Sequence, residues 1–299
     1  MNLFATYTQF LLCVLVHTSA EIMPAPFTRV LYISTPLLSG KDVVILQNLL
    51  IRSYNVTTAV AATGLYDKQT AQAVGEYKKA NLIISDPLVF DNVTAALVLK
   101  QLSYDGYKDD GGIPYGYKFK IFIPVHKNRT IETEGTLMDA NGEVLYRFTI
   151  RAHGALDSSG KPINQFTHNG NTPTGLVECD LNTKEPNPVD FGPYSVVRAV
   201  RGLKGNVAIG KNANDTFLSN YRSGILIHTG EWKNWNPSMN MPNSNGCLHV
   251  HPDSMKKIDD ILQNKLNVKA NENPFGKQPY PYRCQGIMSI QQIDGYLQF

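Results

Sequence analysis

The chain has 299 residues, of which 42% are hydrophobic and 18% are charged, and its formal net charge is +3. This composition fits a folded protein with a real core and excludes a disordered chain, and the length favours two domains over one. The positive charge is small and forms no arginine- or lysine-rich stripe, so no nucleic-acid partner is expected.

Residues 1–20 are typical of a secretory signal peptide. The short apolar run FLLCVLV is followed by small residues that suit cleavage after Ala20. No later run reaches the roughly eighteen apolar residues that a membrane span requires. The pattern therefore predicts a secreted, extracellular protein without a membrane span in its mature chain, and a buried N-terminal element is the alternative.

Residues 36–103 carry apolar residues at helical spacing, in the runs VVILQNLLI, TAQAVGEYKKANLI and TAALVLKQL. The segments YDKQT and FDNVT place Asp or Thr where helices begin. The pattern predicts a small three-helix bundle, and its spacing, with Gly40 and Leu46-Gln47 near its start, resembles the peptidoglycan-binding helical domain that accompanies cell-wall enzymes. An unrelated three-helix module is the alternative. Residues 104–116, rich in Gly, Asp and Tyr, are interpreted as a linker.

From residue 117 onward the apolar period becomes two, which indicates β-strands. YKFKIFIPV alternates, two strands flank a predicted hairpin at Asn141-Gly142, and YSVVRAV, GNVAIG and GILIHTG add short strands. One helix is predicted at Pro252–Leu266, with proline at its favoured first position. The predicted fold class is therefore α+β in two domains, a three-helix bundle and a mostly β domain at 117–299.

Three separated motifs in this β region agree in order with one family. The strand GILI leads into His228, fifteen residues separate His228 from Ser244, and the tetrapeptide SNGC ends at Cys247. Upstream, NTPTGLVE contains a Thr-Pro-x-Gly turn. Over residues 117–266 the chain resembles the L,D-transpeptidase catalytic domain, the YkuD family. Two positions depart from the family pattern: Asn245 stands in place of the usual histidine, and His249 stands in place of Arg or Asn.

The resemblance implies a cysteine acyltransferase. A thiol is mostly protonated at neutral pH, so a nucleophilic cysteine needs a base or a cationic neighbour. His228 is the candidate base for Cys247, because imidazole can take and return a proton near neutral pH. The resemblance further implies that the Thr229 carbonyl orients the His228 ring. The backbone amides of Asn245, Gly246 and Cys247 are the expected oxyanion hole, and Ser244 is expected to support the turn.

The implied substrate is peptidoglycan, and no cofactor is expected. By resemblance, Cys247 attacks the L,D-amide before the terminal D-alanine of a tetrapeptide stem. An amine of another stem resolves the thioester in an L,D-transpeptidase, and water resolves it in an L,D-carboxypeptidase; the sequence leaves both open. Four residues are candidates to line the substrate groove, with core packing as the alternative for Trp232, Trp235, Tyr221 and Met241. His249 is a further candidate for substrate binding.

The cysteine count supports a free nucleophile. Beyond the signal peptide the chain keeps Cys179, Cys247 and Cys284, and in an oxidising compartment two of three cysteines tend to pair. A nucleophile must stay reduced, so we expect a Cys179–Cys284 disulfide. Four Asn-x-Ser/Thr triplets are candidate glycosylation sites and agree with secretion: Asn55, Asn92, Asn128 and Asn214.

Two other functions stay open. Cys247, His249 and His251 alternate and would share one face of a strand, so that together with His228 they could form a zinc site. Alternatively, Asn245 could mark a pseudoenzyme that binds the cell wall without turnover. No HExxH metalloprotease motif is present, and a metal is not the favoured interpretation.

Overall fold

The computed structural model of the chain describes residues 22–203, 212–218, 222–273 and 276–294. The predicted signal peptide at 1–20 and the strand predicted from GNVAIG at 205–210 lie outside these residues. Among the helices that the structure describes, none is both long enough and apolar enough to cross a membrane.

Three helices form the N-terminal part of the structure: α1 (Lys41–Ile51), α2 (Lys68–Ala80) and α3 (Asn92–Leu102). Helices α2 and α3 begin where the sequence predicts, because the Asp67 and Asp91 side chains accept hydrogen bonds from the N–H groups of Thr70 and Thr94. Helix α1 packs against both. Their apolar faces form one buried cluster, to which Phe166 from the β region also belongs.

In the described part of the chain, eight strands close into a barrel in the order β1-β2-β3-β7-β6-β5-β4-β8. The strands are β1 (Phe119–Val125), β2 (Thr133–Asp139), β3 (Val144–Arg151), β4 (Gly175–Asn182), β5 (Val196–Leu203), β6 (Leu226–His228), β7 (Leu248–Val250) and β8 (Gly286–Gln292). The pairs β1–β8 and β6–β7 are parallel and the others are antiparallel. A second apolar cluster, separate from that of the helices, fills the barrel. The β region is therefore mostly β, as the period of two predicts.

Short helices surround the barrel: α4 (Pro188–Phe191), α5 (Asn212–Leu218) and α6 (Pro252–Asp260), the last continued by a π-helical turn at Ile261–Lys265. The α6 helix and the π turn together cover nearly all of the helix predicted at Pro252–Leu266. Four of their apolar residues belong to the barrel cluster: Met255, Ile258, Ile261 and Leu262. The predicted hairpin is also present, with Gly142 at φ +84° between β2 and β3.

The segment 104–116 is packed against the barrel. Asp105 and Tyr107 are buried, and the Tyr107 hydroxyl lies 2.7 Å from Ser289 Oγ on β8. Asp109 forms an ion pair with the buried Lys120 of β1, with Oδ1 2.7 Å from Nζ. These contacts hold the segment that joins the helices to the barrel against the barrel wall. The sequence composition alone indicates a linker and does not reveal these contacts.

Candidate active site

Strands β6 and β7 bring the predicted nucleophile and base to one face of the barrel wall. The two strands are parallel, with Ile227 opposite Leu248 and His228 opposite His249. Cys247 immediately precedes β7, and residues two apart on a strand share a face, so Cys247 lies on the same face as His249 and His228. All three side chains line one cavity of about 610 Å³.

His228 is buried and oriented by its neighbour. Its Nδ1 atom lies 2.6 Å from the Thr229 carbonyl oxygen, which assigns the proton to Nδ1 and leaves Nε2 as an acceptor. Burial lowers the pKa of His228 to about 4, although backbone hydrogen bonds to Thr229 and Asp190 act in the opposite direction. The imidazole is therefore neutral at physiological pH, in the form that a general base requires.

Cys247 is half-buried, and its Sγ atom lies 3.5 Å from the Gly224 carbonyl oxygen. Burial raises the pKa of the Cys247 thiol, while a backbone hydrogen bond from Leu226 and the charges of Arg222 and Arg198 lower it. The burial effect is the larger, so the surroundings of Cys247 favour the neutral thiol over the thiolate.

The turn before Cys247 is organised by Ser244, as the sequence predicts. The Ser244 Oγ atom lies 2.9 Å from the His153 carbonyl oxygen and 2.7 Å from the Cys247 carbonyl oxygen. It also accepts a hydrogen bond from the Gly246 N–H at 2.9 Å. This last contact changes the expected oxyanion hole, because the Gly246 N–H is already engaged and the N–H groups of Asn245 and Cys247 are left as candidates.

Gly246 could not be replaced by a larger residue without displacing its surroundings. Its φ is +109°, and a Cβ atom built there would lie 2.0 Å from Arg222 Nη2 and 2.9 Å from the Gly170 carbonyl oxygen. The Gly246 carbonyl accepts a hydrogen bond from Thr172 Oγ1 at 2.9 Å. The Thr-Pro-x-Gly turn at residues 172–175 therefore packs directly against the turn at residues 244–247, which contains the candidate nucleophile and is called the nucleophile turn below.

Arg222 is a site residue that the sequence analysis missed. It is buried and lines the cavity, and its guanidinium donates to the carbonyl oxygens of Gln165 and Gly170, both at 2.8 Å, and to that of Asn171. An isolated arginine between two predicted strands has no spacing pattern that distinguishes it. Only the folded chain brings it against Gly246.

Asn245 and His249, the two residues that depart from the YkuD family pattern, occupy different positions in the cavity. Asn245 is exposed at its edge, whereas His249 is buried, with Nδ1 2.9 Å from the Pro242 carbonyl oxygen. The His249 ring lies between His228 and Trp232, with ring centroids 4.7 Å and 4.8 Å away. Burial lowers the pKa of His249 to about 3, and the nearby His228 contributes. His249 is thus an uncharged packing partner of the base, unlike an arginine, which would bring a fixed charge.

The other groove candidates separate into different environments. Trp232 lines the cavity, whereas Trp235 packs on Trp232 and His251, with centroids 5.2 Å and 5.1 Å away. The Met241 side chain is buried, which fits the packing alternative. Tyr221 lies outside the described residues.

The zinc alternative does not fit the geometry. Within the described residues, no group of three or more His, Cys, Asp or Glu side chains is arranged to hold a metal ion. His251 caps helix α6 and packs on Trp235, away from the cavity. The alternation of Cys247, His249 and His251 ends with β7, because Val250 is its last residue.

The expected Cys179–Cys284 disulfide is not formed, since Cys179, Cys247 and Cys284 are all free thiols. Cys179 pairs with Gly286 across β4 and β8, which makes Cys284 a diagonal neighbour. Burial raises the pKa of the Cys179 thiol and Cys284 contributes to this rise, so the two cysteines lie near each other without a bond between them.

The four predicted glycosylation sites differ in exposure. Asn128 is exposed, with its side-chain oxygen accepting from the Thr130 hydroxyl at 2.7 Å. Asn55, Asn92 and Asn214 are partly exposed. Glycosylation of these residues stays a prediction.

Comparison with known proteins relates the chain to one family. Residues 131–269 match the family model of the L,D-transpeptidase catalytic domain, YkuD, and this range contains His228 and Cys247. One similar solved structure is an L,D-transpeptidase (Yku) from Stackebrandtia nassauensis, at 13% identity and a TM-score of 0.26, covering 81% of this chain and 94% of that one. No curated protein matches the chain significantly.

Replacement of Gly246 by alanine is expected to disrupt the nucleophile turn. In Gly246→Ala the new methyl group collides with Arg222, so the native state should lose more than the roughly 1 kcal/mol that a positive φ alone costs a non-glycine residue. Gly142→Ala is the matched control, because Gly142 has φ +84° and nothing within 4 Å of a built Cβ. Urea unfolding measures the loss of stability, and the alkylation rate of Cys247 measures the disruption of the nucleophile turn. Equal losses in the two variants would contradict the proposed contact with Arg222.

Proposed function

Because the chain carries an L,D-transpeptidase catalytic domain of the YkuD family at residues 131–269, we propose that it modifies peptidoglycan stem peptides through a thioester on Cys247. The bond attacked is the L,D-amide that precedes the terminal D-alanine of a tetrapeptide stem. This assignment names the residues, the substrate class and the bond, and extends the family membership to a specific reaction.

The observation that carries the proposal is the arrangement of Cys247 and His228. Both side chains line one cavity from neighbouring parallel strands, and the Thr229 carbonyl holds His228 with its proton on Nδ1. With the proton on Nδ1, Nε2 carries the lone pair that would accept the thiol proton. A site that served only for binding would not need this tautomer.

The acylation step follows from these two residues. Nε2 of His228 takes the thiol proton as Sγ of Cys247 attacks the amide carbonyl, and the carbonyl oxygen becomes an oxyanion. The N–H groups of Asn245 and Cys247 would stabilise that charge. When the intermediate collapses, the C–N bond breaks and His228 returns the proton to the departing D-alanine amine. The products are a thioester on Cys247 and free D-alanine.

The second step regenerates the thiol. A side-chain amine of a second stem attacks the thioester carbonyl, loses a proton to His228, and releases Cys247 with a new amide cross-link. Attack by water in the same position would give a shortened stem. The low pKa of His228 favours return of its proton after each step.

The rest of the chain is assigned a supporting role. We propose that the protein is secreted, with residues 1–20 as a signal peptide and glycans at the predicted asparagines. The helical part, residues 36–103, would bind peptidoglycan and hold the catalytic domain at the wall. The runner-up function is a wall-binding pseudoenzyme, which the departure at Asn245 keeps open.

Loss of the Cys247 thiol is expected to abolish acylation. Wild-type protein incubated with a carbapenem, which acylates active members of this family, should gain one adduct that peptide mapping assigns to Cys247. Cys247→Ala should gain none, and Cys284→Ala, which removes a buried thiol outside the cavity, should behave as wild type. A wild-type chain that takes no adduct and turns over no stem peptide would favour the pseudoenzyme.

The acylation rate is expected to stay high down to an unusually low pH. His228 must be neutral to accept the thiol proton, and its pKa is about 4, so the acid limb should have its midpoint near pH 4, well below the ordinary histidine value of about 6.5. The unfolded chain binds that proton near pH 6.5 and the native state only near 4, so native stability also falls as pH drops through this window. Circular dichroism must therefore accompany each rate, and His126→Gln serves as a control outside the cavity. A midpoint near 6.5 in folded protein would contradict this description of His228.

Sacculus binding is expected to depend on the helical part. Full-length Cys247→Ala should sediment with purified sacculi as wild type does, since the proposed binding surface lies apart from the thiol. A chain that begins at residue 104 should lose most of this binding while circular dichroism shows that its barrel is folded. Undiminished binding by the shorter chain would place the affinity in the barrel.

A further inference from the structure

A buried polar network begins at residues 104–116, the joining segment between the helices and the barrel. Asp105 of this segment is 1% exposed. Its Oδ2 atom accepts hydrogen bonds from the Thr174 hydroxyl at 2.8 Å and from the Asn212 N–H at 3.0 Å. The Asn212 side chain in turn accepts from Arg52, the residue that follows helix α1, at 2.6 Å. The helices, the joining segment and the barrel therefore meet at Asp105.

Thr174 connects this network to the nucleophile turn through a very short stretch of chain. The tripeptide Thr172-Pro173-Thr174 has a fixed centre, because proline restricts its own backbone. At one end the Thr174 hydroxyl donates to Asp105. At the other end the Thr172 hydroxyl donates to the carbonyl of Gly246, the residue before Cys247, at 2.9 Å. A displacement of Thr174 would be transmitted to Gly246 over two residues.

A second connection reaches the same turn through Arg222. The Thr174 N–H donates to the Gln165 side-chain oxygen at 2.9 Å, and the Gln165 carbonyl accepts from Arg222 at 2.8 Å. Arg222 lies directly against Gly246, and its positive charge lowers the pKa of the Cys247 thiol. Asp105 and Thr174 thus support both the position of the turn and the charge beside it.

We propose that Asp105, which lies outside the matched catalytic domain, is a positioning residue for Cys247. It acts by holding the Thr172-Pro173-Thr174 tripeptide against the nucleophile turn, so that the reactivity of the thiol depends on the docked joining segment. The proposal rests on the proposed role of Cys247 as nucleophile. It concerns the thiol itself, however, and can be tested without peptidoglycan turnover.

The chain offers a matched control in the same segment. Asp109 is also an acidic residue of the joining segment and also pairs with a buried group, Lys120 of β1. Its N–H binds the Gln291 side chain at 2.9 Å. Neither contact involves Thr172, Thr174 or Arg222. Asp109→Asn therefore weakens the docking of the segment and removes one negative charge without touching the tripeptide.

The test compares iodoacetamide alkylation of Cys247 in the full chain as a function of pH, with peptide mapping to separate it from Cys179 and Cys284. In Asp105→Asn and in Thr174→Val the alkylation rate at neutral pH should fall about 10-fold, because iodoacetamide reacts with the thiolate and a rise of about one unit in the thiol pKa lowers the thiolate fraction about 10-fold. The pH profile should shift to higher pH as the thiol moves away from Arg222. Loss of the negative charge of Asp105 alone would shift the pH profile of alkylation to lower pH, which is the opposite direction. Thr174→Val changes no charge, so any shift in that variant reports displacement of the turn.

The outcomes separate positioning from general stability. Slow alkylation with an upward shift in Asp105→Asn and Thr174→Val, together with a rate within about twofold of wild type in Asp109→Asn, supports the proposal. Wild-type rates in folded Thr174→Val overturn it, and so does an equal loss in Asp109→Asn. If Asp105→Asn fails to fold, Thr174→Val alone decides. A chain that fails to process stem peptides but follows this pattern would refute the proposed function and leave the positioning intact.

Discussion

The candidate site depends on the contact between the buried Arg222 guanidinium and the backbone around it. Three carbonyl oxygens accept its N–H groups, from residues that the sequence places more than fifty positions away. The guanidinium also faces Gly246, where even a methyl group would not fit. The guanidinium is planar and its five donors are fixed in direction, so it can hold several carbonyls at once in a defined geometry. The loop that precedes β4 and the turn that precedes β7 are thereby held in one arrangement.

The electrostatics of the site differ from those of a cysteine enzyme with a preformed ion pair. Burial raises the pKa of Cys247 and lowers that of His228, so the neutral pair is the resting state. In the proposed reaction, charge would separate only as the thiol attacks, where the proposed oxyanion hole would stabilise the new charge. A neutral thiol reacts slowly with adventitious electrophiles and oxidants. His249 preserves this balance, because a neutral ring packs on His228 without adding a fixed charge.

The sequence predicts best what is encoded locally. The caps at Asp67 and Asp91, the hairpin at Gly142 and the helix from Pro252 all depend on neighbouring residues, and the structure contains each of them. The positions of His228 and Cys247 are also informative, because the parallel pairing of β6 and β7 places the last residue of β6 near the residue that precedes β7.

Long-range contacts account for what the sequence did not predict. Arg222 and Asp105 owe their surroundings to tertiary packing, and no local pattern marks either residue. The engaged N–H of Gly246 depends on the conformation of the Ser244 side chain. The predicted Cys179–Cys284 disulfide is absent, since both cysteines are free, and a count of cysteines carries no information about their geometry. The segment 104–116 has the composition of a linker, yet its Asp105 and Tyr107 are buried by partners on distant strands.

Closure of the barrel has a consequence for the order of folding. The strand β8 inserts between β1 and β4, and it pairs in parallel with β1 although Phe119 and its partner Gly286 lie far apart in sequence. Contacts of such long sequence separation form slowly, since a large loop must close first. Until β8 arrives, β1 and β4 present two unpaired edges that can pair with other chains. The last strand that the structure describes, β8, therefore covers both of these edges when it closes the barrel.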